Sequence, residues 1–247
     1  MSYPFELTKT TIHINRIVGY IATILWLFVG TPIEWLIALS IFVIKGTISS
    51  AVLHRRLTHN SYNINKWLEY FFVTIATAGT NSSPITWVAV HRQHHHYTDS
   101  SNDPHSPLYL PIKKMLLSDF DNVRLLYAKK LLKSKFYYTL HKWHWVSTLV
   151  VIAVLFCIDP RAIVYAWLLP LCLQMQTGSM VNVLNHSKFG YRNYNTPDRS
   201  YNNFITGIFV FGEGWHNNHH NNPTNPNFGN KWWEFDLSYQ LIKLIRK

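Results

Sequence analysis

Long apolar stretches alternate along this chain with runs rich in histidine, asparagine and lysine. The first apolar stretch covers residues 17–30 after Arg16, the second covers 33–57, and Gly30-Thr31-Pro32 marks the turn between them. A second pair, 143–158 and 162–184, is joined by Asp159-Pro160-Arg161. Lipid offers no water to a bare backbone, so connections at its edge are short, and both pairs are expected to be transmembrane helical hairpins. A helix over 33–57 is about 37 Å long, more than the roughly 30 Å of a hydrocarbon core. Its end, which carries His54, should therefore project out of the membrane. Trp67 to Ala78 is apolar but too short to span, which predicts a buried or re-entrant helix. Tyr109 to His141 reads as an amphipathic basic helix, with Lys113, Lys114, Lys129, Lys130, Lys133 and Lys135 among leucines and tyrosines. Such a segment suits a membrane interface, a solvated helix face being the alternative. Trp232 to Lys247 has the same character, aromatic at its start and basic at its end.

The expected fold is thus an all-α integral membrane protein forming one domain over residues 1–247. Four transmembrane helices in two hairpins carry a helical cap made from 58–142 and 185–247. Composition agrees with this: 48% of residues are hydrophobic, 15% aromatic and only 14% charged, against about 25% charged in soluble domains. The mean hydropathy of -0.03 averages over segregated halves. The net charge of +11, from 23 Lys and Arg against 12 Asp and Glu, would suit a nucleic-acid binder. Such proteins do not carry long apolar helices, so no nucleic-acid partner is expected and attraction to an anionic membrane surface replaces it. With both hairpin tips facing away from the cytosol, Arg161 is the basic residue at the tips and Lys45 lies within a span. The excess of positive charge then makes the cap side cytosolic, and the protein multi-pass. Lys45 falls nine residues before His54, about 13 Å down the helix. A charge so deep is either functional or snorkelling, and both readings stand. Cys157 and Cys172 lie in apolar stretches and read as buried filler. The first 16 residues are polar, without the apolar run of a signal peptide.

Candidate chemistry lies in the histidines. His91, His94 and His95 have i, i+3, i+4 spacing, and His216, His219 and His220 repeat it; on a helix those offsets share one face. His54 and His59 are five apart, so they converge only at a helix end or a local turn. Eight imidazoles exceed what one ion accepts, about six ligands, so two metals are implied. Imidazole suits Fe, Zn, Cu and Ni; structural zinc favours four ligands with thiolates. An all-nitrogen pair of sites beside a hydrocarbon layer is best matched by redox iron with O2. Asp99, Asp103 and Glu213 flank the clusters and are candidates to orient imidazoles through the second ring nitrogen, or to cap turns. His96 lies on another helix face, and His13, His105, His141 and His144 lack clustered spacing.

These motifs resemble the integral-membrane fatty acid desaturases, particularly the Δ9 stearoyl-type branch and its bacterial-type members. The first box is His54-Arg55-Arg56-Leu57-Thr58-His59 and the second is His91-Arg92-Gln93-His94-His95, with Trp87 before it and Asp99 and Asp103-Pro104-His105 after. The third is Gly212-Glu213-Gly214-Trp215-His216-Asn217-Asn218-His219-His220. Asn182, His186 and Phe189-Gly190-Tyr191-Arg192 match a further element, and Trp232-Trp233-Glu234-Phe235-Asp236 resembles the bacterial terminus. The resemblance implies His186 as a ninth histidine ligand and Asn182 as a ligand through water. It also implies two Fe ions in a cytosolic cap, and an acyl chain bent in a narrow tunnel. O2 and two reducing equivalents then remove hydrogen from neighbouring methylenes, leaving a cis double bond. Ala38, Phe42 and Trp87 are expected to line the tunnel, the first two toward its closed end; a lipid-facing Phe42 is the alternative.

Before the second box stand Ala89 and Val90, where animal acyl-CoA desaturases have an arginine and an aspartate. An acyl chain on a glycerolipid therefore competes with acyl-CoA as substrate. Electrons are expected from a separate ferredoxin or cytochrome b5-like donor, docked by Arg55, Arg56 and Lys188 or with those cations meeting lipid phosphates. Rival functions are a related diiron membrane hydroxylase and a membrane metal transporter. The transporter wants ionisable groups along a path through the bilayer, whereas only Lys45 lies deep.

Overall fold

The computed structural model describes residues 9–116 and 123–247 and is all-α, with only isolated β-bridges such as Ile64 to Arg246 among the described residues. Helix α1, Lys9–Val29, turns at Gly30 into α2, Pro32–Ser49. A capping box starts α2: Glu34 N donates to Thr31 Oγ1 at 3.4 Å, Thr31 N donates to Glu34 at 2.8 Å, and Pro32 supplies a pre-set φ. Helix α2 continues without a break into a π-helical segment, Ser50–Thr58. Helix α3, Lys66–Thr77, is the short apolar helix; α4, Pro84–Tyr97, starts at Ser83, whose hydroxyl accepts from Thr86 N. A packed core including Val52, Leu53, Val73, Ala76, Ile85 and Val88 fills the space between the end of α2, α3 and α4.

The basic segment 109–141 is not one helix. It contains α5, Ile112–Leu116, a short turn at Leu125–Ala128, α6, Lys129–Leu132, and α7, Lys135–Lys142. Ser134 separates α6 from α7, and residues 117–122 of this expectation lie outside the described residues, as do residues 1–8 of the polar start. Helix α8, His144–Ile158, leads through Asp159-Pro160-Arg161 and a π-helical segment, Ile163–Leu168, into α9, Leu169–Asn185. Helices α10, Phe204–Phe209, α11, His216–Asn221, and α12, Leu237–Ile245, complete the chain. The basic C-terminal segment is thus helical only from Leu237, where Asp236 accepts from Tyr239 N as the cap.

One helix among the described residues is long and apolar enough to cross a membrane, the 27-residue unit Pro32–Thr58. Helices α7 and α8 meet the same criterion only as one span bent by 65°, and the apolar part of α1, Arg16–Val29, is shorter. Gln174, Gln176, Asn182 and Asn185 dilute the hydropathy of α9. The four expected spans are therefore all helical, but not four separately qualifying spans. Arg161 donates to Glu34 at 2.8 and 2.9 Å, tying the two interhelical turns together. Cys172 is buried as expected; Cys157 is exposed on α8, which corrects its reading as filler.

The end of α3 explains Lys45. Three consecutive carbonyls there accept from three different helices: Ala78 from Lys45 Nζ at 2.7 Å, Gly79 from Trp167 Nε1 at 2.7 Å, and Thr80 from His144 Nε2 at 2.7 Å. Terminal helix carbonyls lack intrahelical partners, and where they are buried no water replaces them. Lys45 thus anchors a short helix through its C-terminal dipole, its ammonium bonded inside the protein. Lys45→Met should lower stability by about 1–3 kcal/mol by orphaning the Ala78 carbonyl. A thermal midpoint equal to the parent's in the same detergent would remove Lys45 from this role.

Candidate metal centre

The π-helical segment resolves the spacing of His54 and His59. His59 N donates to His54 O at 3.2 Å, an i to i+5 bond that stacks residues five apart. Their rings lie 5.1 Å apart. Arg92 of α4 closes the end of this segment, donating to the carbonyls of Leu57 at 2.8 Å and Thr58 at 3.0 Å. That contact fixes α4 against α2.

Each histidine triplet divides between two groups rather than serving one. His54, His59, His91, His95 and His219 form one group, and His94, His186, His216 and His220 the other; within each, the candidate ligand atoms lie within 4.8 Å of one another. The i, i+4 pairs His91/His95 and His216/His220 each face one group, while the residues within them, His94 and His219, face the opposite one. Two helices that each offer a pair to one group and a single imidazole to the other cross-link the two groups. His186, at the C-cap of α9, joins the second group, with its Nε2 2.9 Å from His216 Nε2. Asn182 lies one turn earlier on α9, half-buried.

Carboxylates hold the outer nitrogens. His54 Nδ1 donates to Glu213 at 2.5 Å, His94 Nδ1 to Asp103 at 2.9 Å, His186 Nδ1 to Asp99 at 3.2 Å, and His220 Nδ1 to Asp198 at 2.9 Å. Asp99 takes a left-handed φ of 58° to reach its position, a conformation Asp tolerates better than most residues. Asp99, Asp103 and Glu213 were expected beside the imidazoles; Asp198 was not. With each Nδ1 protonated, Nε2 presents a bare lone pair.

The inner ring nitrogens of these four and of the other histidines face one another. Nε2 of His219 is 3.1 Å from that of His54 and 2.9 Å from that of His95, and His95 Nε2 is 3.0 Å from His91 Nε2. In the second group, His220 Nε2 is 3.0 Å from His216 Nε2 and 3.4 Å from His94 Nε2. Lone pairs at such distances repel unless a cation sits among them. Protons do not fill that role: burial, followed by the mutual repulsion of neighbouring imidazolium charges, pushes His91, His94, His95, His216 and His219 well below the ordinary histidine value. The donor set therefore fits two metal ions held by neutral imidazoles.

Other neighbours shape the walls. Trp87 stacks on His91 at 5.2 Å and lies 5.7 Å from His54. Phe228 packs on His219 at 4.3 Å and on His54 at 5.3 Å. His105 is buried against the His94 ring at 4.2 Å, whereas His96 is exposed, as its helix face requires. His141 bonds Ser83 at 2.6 Å, and the His13 side chain lies outside the described residues. Ala38 is fully buried in a cluster with Trp26 and Leu169, and Phe42, half-buried, packs on Phe211 at 5.1 Å. A cavity of about 280 Å³ between α2, α3, α8 and α9 is lined by Ile41 and Lys45 of α2, with neither Ala38 nor Phe42 in its wall.

Arg55 contradicts its expected place on a docking surface. It is fully buried, donates to Asp236 at 3.0 and 3.1 Å and to Ser50, and lies 3.8 Å over the Phe228 ring. Arg56 bonds Glu69 at 2.7 Å, which leaves Lys188 as the exposed member of the three. Arg55 stands one residue after a ligand candidate, so its charge is consumed by holding Glu213 and Asp236 in place.

Residues 24–242 match the sequence profile of the fatty acid desaturase family. The chain belongs to that family. It is 31% identical over 245 residues to the sn-1 stearoyl-lipid 9-desaturase of Anabaena variabilis, which covers 95% of this chain and 87% of that one. It is also 31% identical over 239 residues to the acyl-CoA C20 Delta5-desaturase of Anemone leveillei, covering 90% and 75%. A palmitoyl-monogalactosyldiacylglycerol delta-7 desaturase of Arabidopsis thaliana is 29% identical over 219 residues, covering 85% and 59%. Equal identity to enzymes named for different positions and carriers supports the desaturase family without singling out the Δ9 branch.

Asp198 offers a test of the outer bonds in this desaturase-family chain. Burial alone would raise its carboxyl, but His220, Ser200 and Thr196 together hold it far below the usual range. Asp198→Asn should weaken metal binding about 10- to 100-fold, as measured by chelator competition. A folded carboxyl held low stabilises fully above the unfolded value near pH 4 and loses that effect on acidification. The gap between variant and parent should therefore narrow toward low pH, and an unchanged affinity at neutral pH would contradict the role.

Proposed function

We propose that the protein is an O2-dependent fatty acyl desaturase of the membrane, holding two iron ions in the paired imidazole groups. The carrying observation is the convergence of nine imidazole donors into groups of five and four, with carboxylates fixing the outer nitrogens of four of them. When bound, the irons supply O2 activation strong enough to remove hydrogen from an unactivated methylene. In total, –CH2–CH2– with O2, two electrons and two protons gives –CH=CH– and two waters.

The chain's own residues contribute placement and electrostatics. Glu213, Asp103, Asp99 and Asp198 keep four imidazoles in the tautomer that presents Nε2 inward. Burial of His94, His216 and His219 excludes bulk water and keeps those donors neutral. Asn182 is assigned to the second group through water, on the resemblance of its spacing to His186. Trp87 forms one wall beside the first group, and Ala38 and Phe42 lie farther down α2, toward the closed end of an acyl site.

In this reading α1 with α2, and α8 with α9, are two transmembrane hairpins, the Glu34–Arg161 pair lies at the non-cytosolic face, and the cap is cytosolic. The asymmetry of Lys and Arg supports that orientation. The double bond is assigned to Δ9, the position in the name of the Anabaena relative that aligns over 95% of this chain. The substrate is an acyl chain on CoA or on a glycerolipid, and electrons come from a separate ferredoxin or cytochrome b5-like protein. The test is expression in a host lacking the activity, with iron and a competent donor, followed by lipid extraction and double-bond localisation by mass spectrometry. Δ9 monoenes are expected; saturated lipids alone would contradict desaturation, and chain alcohols would favour the hydroxylase reading.

A further inference from the structure

Helix α10 leaves an apolar face uncovered. Phe204, Ile205, Ile208 and Phe209 point outward, Phe209 with 68% of its surface exposed, while Thr206 and Gly207 between them are buried. The packed neighbours of this segment fix its depth. Thr206 Oγ1 donates to Asn185 Oδ1 at 2.9 Å, which sets the start of α10 level with the end of α9. Two residues past α10, Phe211 packs on Phe42 at 5.1 Å and fills the space where a Cβ on Gly46 would stand. Phe211 also clusters with Val181 of α9.

Gly46 and Phe42 precede His54 by eight and twelve residues, about 12 and 18 Å along α2. Val181 precedes His186 by five, about 7.5 Å along α9. Both helices give the same direction: from Phe204 to Phe211 the chain descends from the level of the imidazoles along the shafts of α2 and α9. If α2 enters the hydrocarbon at Pro32, roughly 30 Å of hydrocarbon takes it to about residue 52. Gly46 and Phe42 fall inside that layer, and so does Phe211 against them. The exposed residues Leu39, Val43 and Ile44 of α2 and Met180 of α9 extend the apolar surface at the same depth.

We propose that residues 204–211 form a wedge inserted in the cytosolic leaflet, with the Phe204, Ile205, Ile208 and Phe209 face covered by lipid acyl chains. The inference rests on the reading of α2 as a membrane span. A six-residue helix with four outward apolar side chains is poorly suited to water, and lipid is the partner available at this depth.

The experiment places single cysteines at Phe209, Val43 and Lys188 in a Cys157→Ser, Cys172→Ala background. Each is labelled with an environment-sensitive fluorophore in nanodiscs containing phospholipids brominated on the acyl chains. The Phe209→Cys label should be quenched to within about twofold of the Val43→Cys label, with the Lys188→Cys label quenched little. Quenching at Val43→Cys but not at Phe209→Cys overturns the wedge while leaving the span intact, whether the Phe209→Cys label is in water or shielded by a protein partner or second copy. Absence of quenching at Val43→Cys overturns the span itself, and with it this inference.

Discussion

Replacing His219 by alanine is expected to abolish desaturation, with a loss of more than about 100-fold, larger than the effect of removing an outer partner of a ligand. His219 comes from α11, yet it belongs to the group built mainly by the end of α2 and by α4. Its Nε2 lies 3.1 Å from that of His54 and 2.9 Å from that of His95, and the side chain is fully buried. Removing it opens the five-donor group and severs the link between α11 and the first box. Metal content should fall along with activity, whereas His96→Ala, on the exposed face of α4, should retain both. Retained activity in His219→Ala would remove this residue from the centre and with it the crossed assignment of the two triplets.

Arg55→Met carries the second large effect, on stability. The guanidinium is enclosed, bonded to Asp236, 3.4 Å from Glu213, and stacked on Phe228. Its removal leaves two carboxylates facing one another without a counter-charge. Breaking a buried pair in this way typically costs about 3–5 kcal/mol, which for a chain of this size is roughly 10 °C in thermal midpoint. Arg55→Lys should recover only part, because a single ammonium cannot reproduce the planar fork that sends Nη2 to Asp236 and Nη1 to Ser50. A midpoint within about 1 °C of the parent for Arg55→Met would show that the pair is not buried as described.

How far the sequence reached depends on the distance over which each feature is determined. The helical stretches are local properties, and the apolar runs at 17–30, 33–57, 143–158 and 162–184 are helical in the structure. The histidine triplets are also local, so their convergence was legible from spacing. Their division into groups of five and four was not, because it depends on how α4 and α11 cross. The π-helical segment that unites His54 and His59 was legible only as a requirement for a local turn. His186 was visible only through the resemblance, since a lone histidine at a helix end carries no pattern of its own. Asp198 was missed for the same reason: it stands 22 positions from His220 in a polar loop. Arg55 was misread because a charged residue beside a ligand suggests surface. The partner that buries it, Asp236, is 181 positions away.

The same logic governs Lys45. Its depth was legible from the run around it, but its partner is the carbonyl of Ala78, 33 positions later, at the end of a helix too short to span. The basic segment 109–141 failed as a single helix because its periodicity continues across breaks that the backbone makes at Arg124 and Ser134.

Two metals held by imidazole are what the paired histidine groups require. Metal analysis of the purified protein in nanodiscs, after anaerobic loading with ferrous iron, addresses this directly when combined with X-ray absorption at the iron edge. Two irons per chain in a shell dominated by nitrogen are expected, with one lost preferentially in His219→Ala. One iron or none per chain, or an iron shell containing sulfur, would contradict it.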